Sequence, residues 1–362
     1  MNYYFHLPFC RSKCGYCAFY SEPSPSPALV DAYLDHLKRQ LEGSPLPSPE
    51  TIYLGGGTPT LLSLSQLERL FGMLERYLRP APTSEITIEA NPETLDESKV
   101  AFLRDHTTRI SIGVQSFSSS ARRILGRRCG DEALKRALQL VGGAGFPRWN
   151  IDLIYAVPGE SPEQWRDDLR LAADTGVDHL SCYSLTAEER SALGASFAIN
   201  DDLAADMYEM VPDILAPYGI KRYEISNYAA NGAECRHNVS VWRGGLLRGF
   251  GPSAAGFDGR DRMTEVDDLG KWLANVPPTV DRIPPPNRRA EIFAVNLRTV
   301  DGWTPELWAA VPGADSWEDR CAAVEKVRRN MPLSWWKISP NRIKLSTEGL
   351  CFWNDVAEAM LI

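Results

Sequence analysis

Cys10, Cys14 and Cys17 fall within "FHLPFCRSKCGYCAFY", residues 5–20, spaced CxxxCxxC, in a chain with eight cysteines among 362 residues. Thiolates are soft donors that select zinc, copper(I) or iron–sulfur clusters. A structural zinc site takes four protein ligands, and a fully ligated cubane takes four cysteines. Three close thiols without a local fourth point to a [4Fe–4S] cluster with one iron left open, the arrangement that lets a metal centre do chemistry. Two other readings of the spacing stand beside it: zinc completed by a distant residue, and core cysteines that hold no metal.

Such a loop needs a scaffold. Short apolar runs at 2–7, 51–54, 85–89, 109–114, 149–155 and 178–185 alternate with helical patterns at 28–42, 65–78, 96–105, 131–144 and 162–174. Leu29, Tyr33, Leu37 and Leu41 recur every fourth residue, one face of a helix. Strands alternating with helices predict parallel strands joined by right-handed crossovers. Six units suit an α/β barrel or partial barrel, whose chemistry sits beyond the carboxyl ends of the strands. The polar residues obey that rule. The cysteines follow the first strand, "GGGTP" the second, Glu89 and Asn91 end the third, Gln115 the fourth, Asp152 lies on the fifth, and Tyr183 and Ser184 close the sixth.

Beyond residue 187 the alternation stops. A helix is expected near 201–217, a seventh strand in "KRYEISNY", then a long loop, "ECRHNVSVWRGGLLRGFGPSAAGFDG". The proline-rich stretch 276–287 reads as a boundary. The expected units are 1–187, 188–275 and a small helical domain, 276–362, with a hairpin around Ser339-Pro340-Asn341 and a final helix at 347–361, winged-helix-like in pattern. A net charge of −8 argues against nucleic acid as partner. The apolar opening is too short for a membrane span and lacks the marks of a secretory leader, so a cytoplasmic protein is expected.

The motifs together resemble a known family. CxxxCxxC after a first strand is similar to the signature of the radical S-adenosylmethionine (SAM) superfamily. "IYLGGGTPTLL", "TIEANPET", "ISIGVQSF", "LGRR", "NIDLIYAVPGE", "YEISNYA" and "CRHNVSVW", in that order, resemble the oxygen-independent coproporphyrinogen oxidase-like family, and within it the haem chaperone branch. The resemblance implies a partial (β/α)6 barrel in which Cys10, Cys14 and Cys17 hold a [4Fe–4S] cluster whose open iron takes the amino and carboxylate groups of SAM. It also implies SAM contacts at Gly56, Gly57, Thr58, Glu89, Gln115, Arg127 and Asp152, with Tyr4 and Tyr16 packing near the cluster and the adenine. His237, Asn238 and Trp242 match the branch's haem-associated motif, and this implies iron ligation by His237, stacking by Trp242, and propionate contacts from Arg236 or Arg243. Haem would be cargo for respiratory proteins. The coproporphyrinogen dehydrogenase branch instead carries a fourth cysteine where Phe19 stands, and a long segment ahead of its cysteines; it remains the second reading. An enzyme acting on another tetrapyrrole is the third. Val241, Ala18 and Ala255 depart from the family's usual tyrosine, aspartate and histidine.

Overall fold

The computed structural model describes residues 1–43, 46–186, 191–193 and 200–361. Six parallel strands form its centre: β1 (Asn2–Leu7), β2 (Thr51–Gly56), β3 (Glu85–Ala90), β4 (Arg109–Gln115), β5 (Trp149–Tyr155) and β6 (His179–Ser184), each pairing with the next in sequence order. The α/β partial barrel is therefore present as expected. Alternation along the strands explains its two faces. In β4, Ile110, Ile112 and Val114 pack into the large core, while Arg109, Ser111, Gly113 and Gln115 line a central cavity.

The crossover helices begin where local chemistry starts them. Helix α1 (Pro27–Glu42) is capped by Ser26 with proline at its first position, and buries Tyr33, Leu37 and Leu41. Helix α2 (Leu64–Leu78) opens on a capping box, Ser63 with Gln66. Helices α3 (Glu97–His106), α4 (Ser119–Ile124), α5 (Asp131–Ala144) and α6 (Pro162–Asp174) follow, α6 again on a capping box, Ser161 with Gln164.

The second half departs from expectation in instructive ways. After α7 (Asp201–Leu215), "KRYEISNY" contributes only two short antiparallel strands, β7 (Lys221–Arg222) and β8 (Asn227–Ala229), at one end of the sheet. The seventh parallel strand is β9 (Leu247–Phe250), which pairs with β1 on its open side. It lies inside the stretch read as a loop. A Cβ on Gly249 would sit 2.4 Å from the Ala255 carbonyl oxygen, so a strand here requires glycine, which masks the usual strand signal. The same stretch also contains a helix, α8 (Arg236–Trp242). Strands β10 (Ala255–Phe257), β11 (Asp261–Thr264) and β12 (Thr279–Arg282) extend the sheet antiparallel beyond β9.

The boundary expected near 187 lies outside the described residues. The boundary expected at 276 precedes a strand of the main sheet: β12 lies within the proline-rich stretch. A second core begins further on, at Ile292. Helix α9 (Leu269–Leu273) still packs on the large core; the second is built by α10 (Pro285–Asn296), α11 (Pro305–Ala309), α12 (Trp317–Arg328), a hairpin β13 (Trp336–Ser339) and β14 (Arg342–Leu345), and helices α13 (Thr347–Cys351) and α14 (Trp353–Leu361). Phe293, Trp303 and Trp308 form its aromatic centre. No described helix is long and apolar enough to cross a membrane.

Candidate metal and cofactor site

The loop carrying the three cysteines is tied at both ends. Phe9–Cys10 pairs in parallel with Glu22–Pro23, and the Ser24 amide donates to the Cys10 carbonyl at 2.8 Å. Its middle is pinned to α4's exit: the Gly15 amide donates to Leu125 O at 3.0 Å, and Gly15 O accepts from Leu193 N. All three thiols are free and line one end of the cavity. Thr58 Oγ1 lies 3.9 Å from Cys10 Sγ, and Arg127 Nη1 donates to Cys14 Sγ at 3.8 Å. Burial pushes the Cys10 and Cys17 thiols up, so a bound cation is what would hold them as thiolates.

The donor set fits a cluster. A single zinc ion gathers its thiolates to about 2.3 Å from one point. The three thiols sit on one loop lining one cavity, and a cubane offers each a separate iron and leaves a fourth open.

The wall facing the cysteines is made from strand ends. β1 and β2 stay paired past their ends, with Gly57 N donating to Leu7 O and Thr58 N to Phe9 O, both at 2.8 Å. Gly57 must lack a side chain, since a Cβ would lie 2.7 Å from the Phe9 carbonyl oxygen; Gly56 has φ +106°. Glu89 accepts from Tyr53 Oη at 2.8 Å and from Gly56 N at 3.1 Å. Burial, with the Asp152 charge adding to it, pushes Glu89 up to about 7. Asp152 accepts from Ser111 Oγ at 3.0 Å and Asn150 Nδ2 at 2.7 Å, and burial raises it too. Gln115 sits at φ +70° where the β4–β5 register slips, which turns its side chain into the cavity. Arg127 also donates to the Gly113 carbonyl. Tyr16 packs among Leu125, Ile154, Val157 and Leu185.

Cys10, Cys14, Cys17, Tyr16, Gly56, Gly57, Thr58, Glu89, Gln115, Arg127 and Asp152 thus meet in one cavity of about 930 Å³. Tyr4 does not line it. Its hydroxyl lies 3.1 Å from His6 Nδ1, and its ring packs 6.1 Å from Tyr53, so it supports the wall from behind.

His237 requires a correction. It is buried, with 6 % exposure, and is not on the cavity lining. Asn2 Nδ2 donates to Ser240 Oγ and Leu246 O, which turns Asn2 Oδ1 toward Thr51. Thr51 gives its one proton to that oxygen at 2.8 Å, so His237 donates from Nδ1 to Thr51 Oγ1 at 2.7 Å. Burial lowers His237 to about 4 and keeps the ring neutral. Glu85 receives the Arg236 and His237 amides, which closes the start of α8. The imidazole is an anchor for α8, and Asn238 is the motif residue that reaches the cavity. Trp242 stacks on the Arg298 guanidinium at 4.8 Å, and Trp353 flanks the same group at 5.2 Å.

Sequence reasoning missed the inner half of the cavity: Tyr53, Arg109, Ser111, Asn150, Asn227 and Arg298. The signal was present as polar residues at alternate positions of β-branched runs, as in "RISIGVQ".

Comparison with known proteins agrees with this geometry. Residues 4–172 match the radical SAM superfamily model. The heme chaperone HemW of Escherichia coli (strain K12) is 37% identical over 263 residues, covering 71% of this chain and 70% of the relative. That of Lactococcus lactis subsp. lactis is 34% identical over 281 residues, covering 76% and 74%, and that of Synechocystis 31% identical over 340 residues, covering 87% and 81%. Among solved structures, coproporphyrinogen III oxidase (HemN) from Escherichia coli, a radical SAM enzyme, superposes with a TM-score of 0.85 at 19% identity, over 99% of this chain and 89% of that one. That likeness is one of fold, and it includes the second core. With the cysteine loop, the buried carboxylates and relatives above 30% identity over most of their length in agreement, the chain belongs to the heme chaperone HemW family of the radical SAM superfamily.

Proposed function

We propose that this protein is a haem chaperone of the cytoplasm that carries a [4Fe–4S] cluster and SAM, binds haem, and passes it to haem-requiring respiratory proteins. The observation that carries this reading is one continuous cavity, lined at one end by three free thiols and at the other by Asn238 of the haem-associated motif. Cys10, Cys14 and Cys17 hold the cluster. Bound there, it supplies one-electron reduction of SAM at its open iron. Glu89 accepts the amino group or ribose of SAM when ionised, Asp152 and Gln115 orient the remainder, and Arg127 pairs with a carboxylate. Gly56, Gly57 and Thr58 let the backbone approach closely, and Tyr16 with its apolar neighbours keeps water from the cluster side.

Anaerobic reconstitution followed by haem titration tests the proposal. Reconstituted protein should show four irons, an EPR signal perturbed by SAM, and a Soret band saturating at or below one haem per chain. Given reductant and SAM, it should not convert coproporphyrinogen III to protoporphyrinogen IX. Robust turnover of that substrate without haem uptake would replace the chaperone reading with the dehydrogenase one.

A further inference from the structure

Arg109 begins β4 deep in the barrel, with 3 % exposure, and lines the inner half of the cavity. Its Nε has no hydrogen-bond partner, and its guanidinium makes no ion pair or hydrogen bond among the described residues. The carboxylates that feel its charge are engaged elsewhere. Glu85 receives the amides of α8, Glu89 the Tyr53 hydroxyl and Gly56 amide, and Asp152 the Ser111 and Asn150 side chains. The other cation at this end, Arg298, is already paired with Glu224 at 2.8 Å. A guanidinium stays charged at any physiological pH. Glu85, Glu89 and Asp152 balance its charge without touching it, so what the buried guanidinium lacks is an acceptor for its hydrogen bonds, and a ligand carboxylate would supply one.

We propose that the inner end of the cavity is a carboxylate-binding subsite in which Arg109 takes a propionate of the tetrapyrrole cargo; this rests on the haem reading above. Two ligands of this site carry carboxylates, SAM and haem. SAM presents its carboxylate at the open iron, beside the thiols. Arg109 lies six residues from Gln115, roughly 20 Å along the strand at about 3.3 Å per residue. A carboxylate held at the cluster end does not span that separation. The surroundings of Arg109 also suit a porphyrin. Trp353 and the Arg298 guanidinium it flanks border the same end, and Asn238 and Asn227 add neutral donors. A planar fork meets a carboxylate through two parallel bonds, which fixes the cargo's orientation as well as its affinity.

The test compares wild type, Arg109→Gln and Arg109→Lys as full-length reconstituted proteins. Each is titrated with haem, with haem dimethyl ester, and with SAM. Arg109→Gln should weaken haem binding about 10- to 100-fold, the loss of one charge-assisted interaction. Arg109→Lys should recover part of it. The dimethyl ester should bind wild type no more tightly than it binds Arg109→Gln, and SAM affinity should fall far less than haem affinity, because Arg109 reaches the SAM site only through its effect on the Glu89 and Asp152 charges. Equal haem affinity in wild type and Arg109→Gln overturns the subsite. A fall in SAM affinity alone overturns the propionate and makes SAM the source of the carboxylate. If wild type takes up no haem, the haem reading fails by itself, and coproporphyrin III is then titrated in its place; wild type should bind this porphyrin carboxylate more tightly than Arg109→Gln does, and equal affinity overturns the carboxylate subsite.

Discussion

Glu89 is the residue whose chemistry is most exposed to measurement. Its carboxyl ionises near 4.5 in an unfolded chain and at about 7 in the folded one, chiefly because it is buried. Between those values the folded state holds an extra proton. The group's contribution to stability is therefore complete below about pH 4.5 and is lost as pH rises through 7. Ligand binding runs the other way, because an acceptor for the SAM amino group must be ionised. The affinity of the reconstituted protein for SAM should rise between pH 6 and pH 8, and Glu89→Gln should flatten the profile while leaving iron content near wild type. A Glu89→Gln profile as steep as wild type would place the titrating group elsewhere. The thiols divide the labour differently. Replacing Cys10, Cys14 or Cys17 by Ala should each abolish the intact cluster, seen as loss of iron and of its visible absorbance, since two thiolates do not retain a cubane. Those thiols were legible from spacing alone. Arg109 was not, because a single arginine opening a strand has no local signature; only the fold shows that it is buried with its Nε lacking a hydrogen-bond partner.

At the level of elements, α8 and the β1–β2 turn are held by contacts that admit few substitutions. Thr51, Asn2 and His237 form one buried chain of hydrogen bonds joining α8 to β1 and β2. His237→Ala and Thr51→Val should each cost about 1–3 kcal/mol in chemical denaturation, and the double variant less than their sum, because they break a shared interaction. Additive losses would mean that the two side chains act independently. Gly57→Ala should cost about 1–3 kcal/mol as its methyl meets the Phe9 carbonyl and Pro8 backbone, and it should also disturb the cysteine loop that follows them. The six central strands were legible because β-branched runs alternate cleanly with capped helices. Helix α8 was not, since seven residues with Val239, Val241 and His237 carry little helical preference, and tertiary contacts to Glu85 and Thr51 supply what local propensity lacks. Strand β9 was hidden for the opposite reason: the close approach of β10 demands a glycine where a strand signal would want a branched side chain.

Over the whole molecule, the second core meets the barrel at a polar joint that also borders the cavity. Glu224 has no exposed surface, and it pairs in antiparallel fashion with Thr299 while Val300 N donates to Tyr223 O. Its Oε1 receives Ser226 N and Asn227 Nδ2, and its Oε2 receives Arg298 Nε at 2.8 Å. Arg298 in turn lies against Trp242 of α8 and Trp353 of α14. One guanidinium thus links the barrel, the haem-associated motif and the C-terminal helix. Truncating it leaves a buried carboxylate without its cation, which in comparable pairs costs about 3–5 kcal/mol. Arg298→Met keeps most of the volume between the two indoles while removing the charge, so the loss should come from electrostatics rather than from a void. Denaturant unfolding of Arg298→Met should show that loss, and the paired change Glu224→Gln with Arg298→Met should recover part of it. Because both Trp242 and Trp353 rest on this group, their fluorescence should shift together in the single variant. A single variant as stable as wild type, with unchanged tryptophan emission, would mean that the second core is held to the barrel by its other contacts and that this joint does not govern the inner end of the cavity.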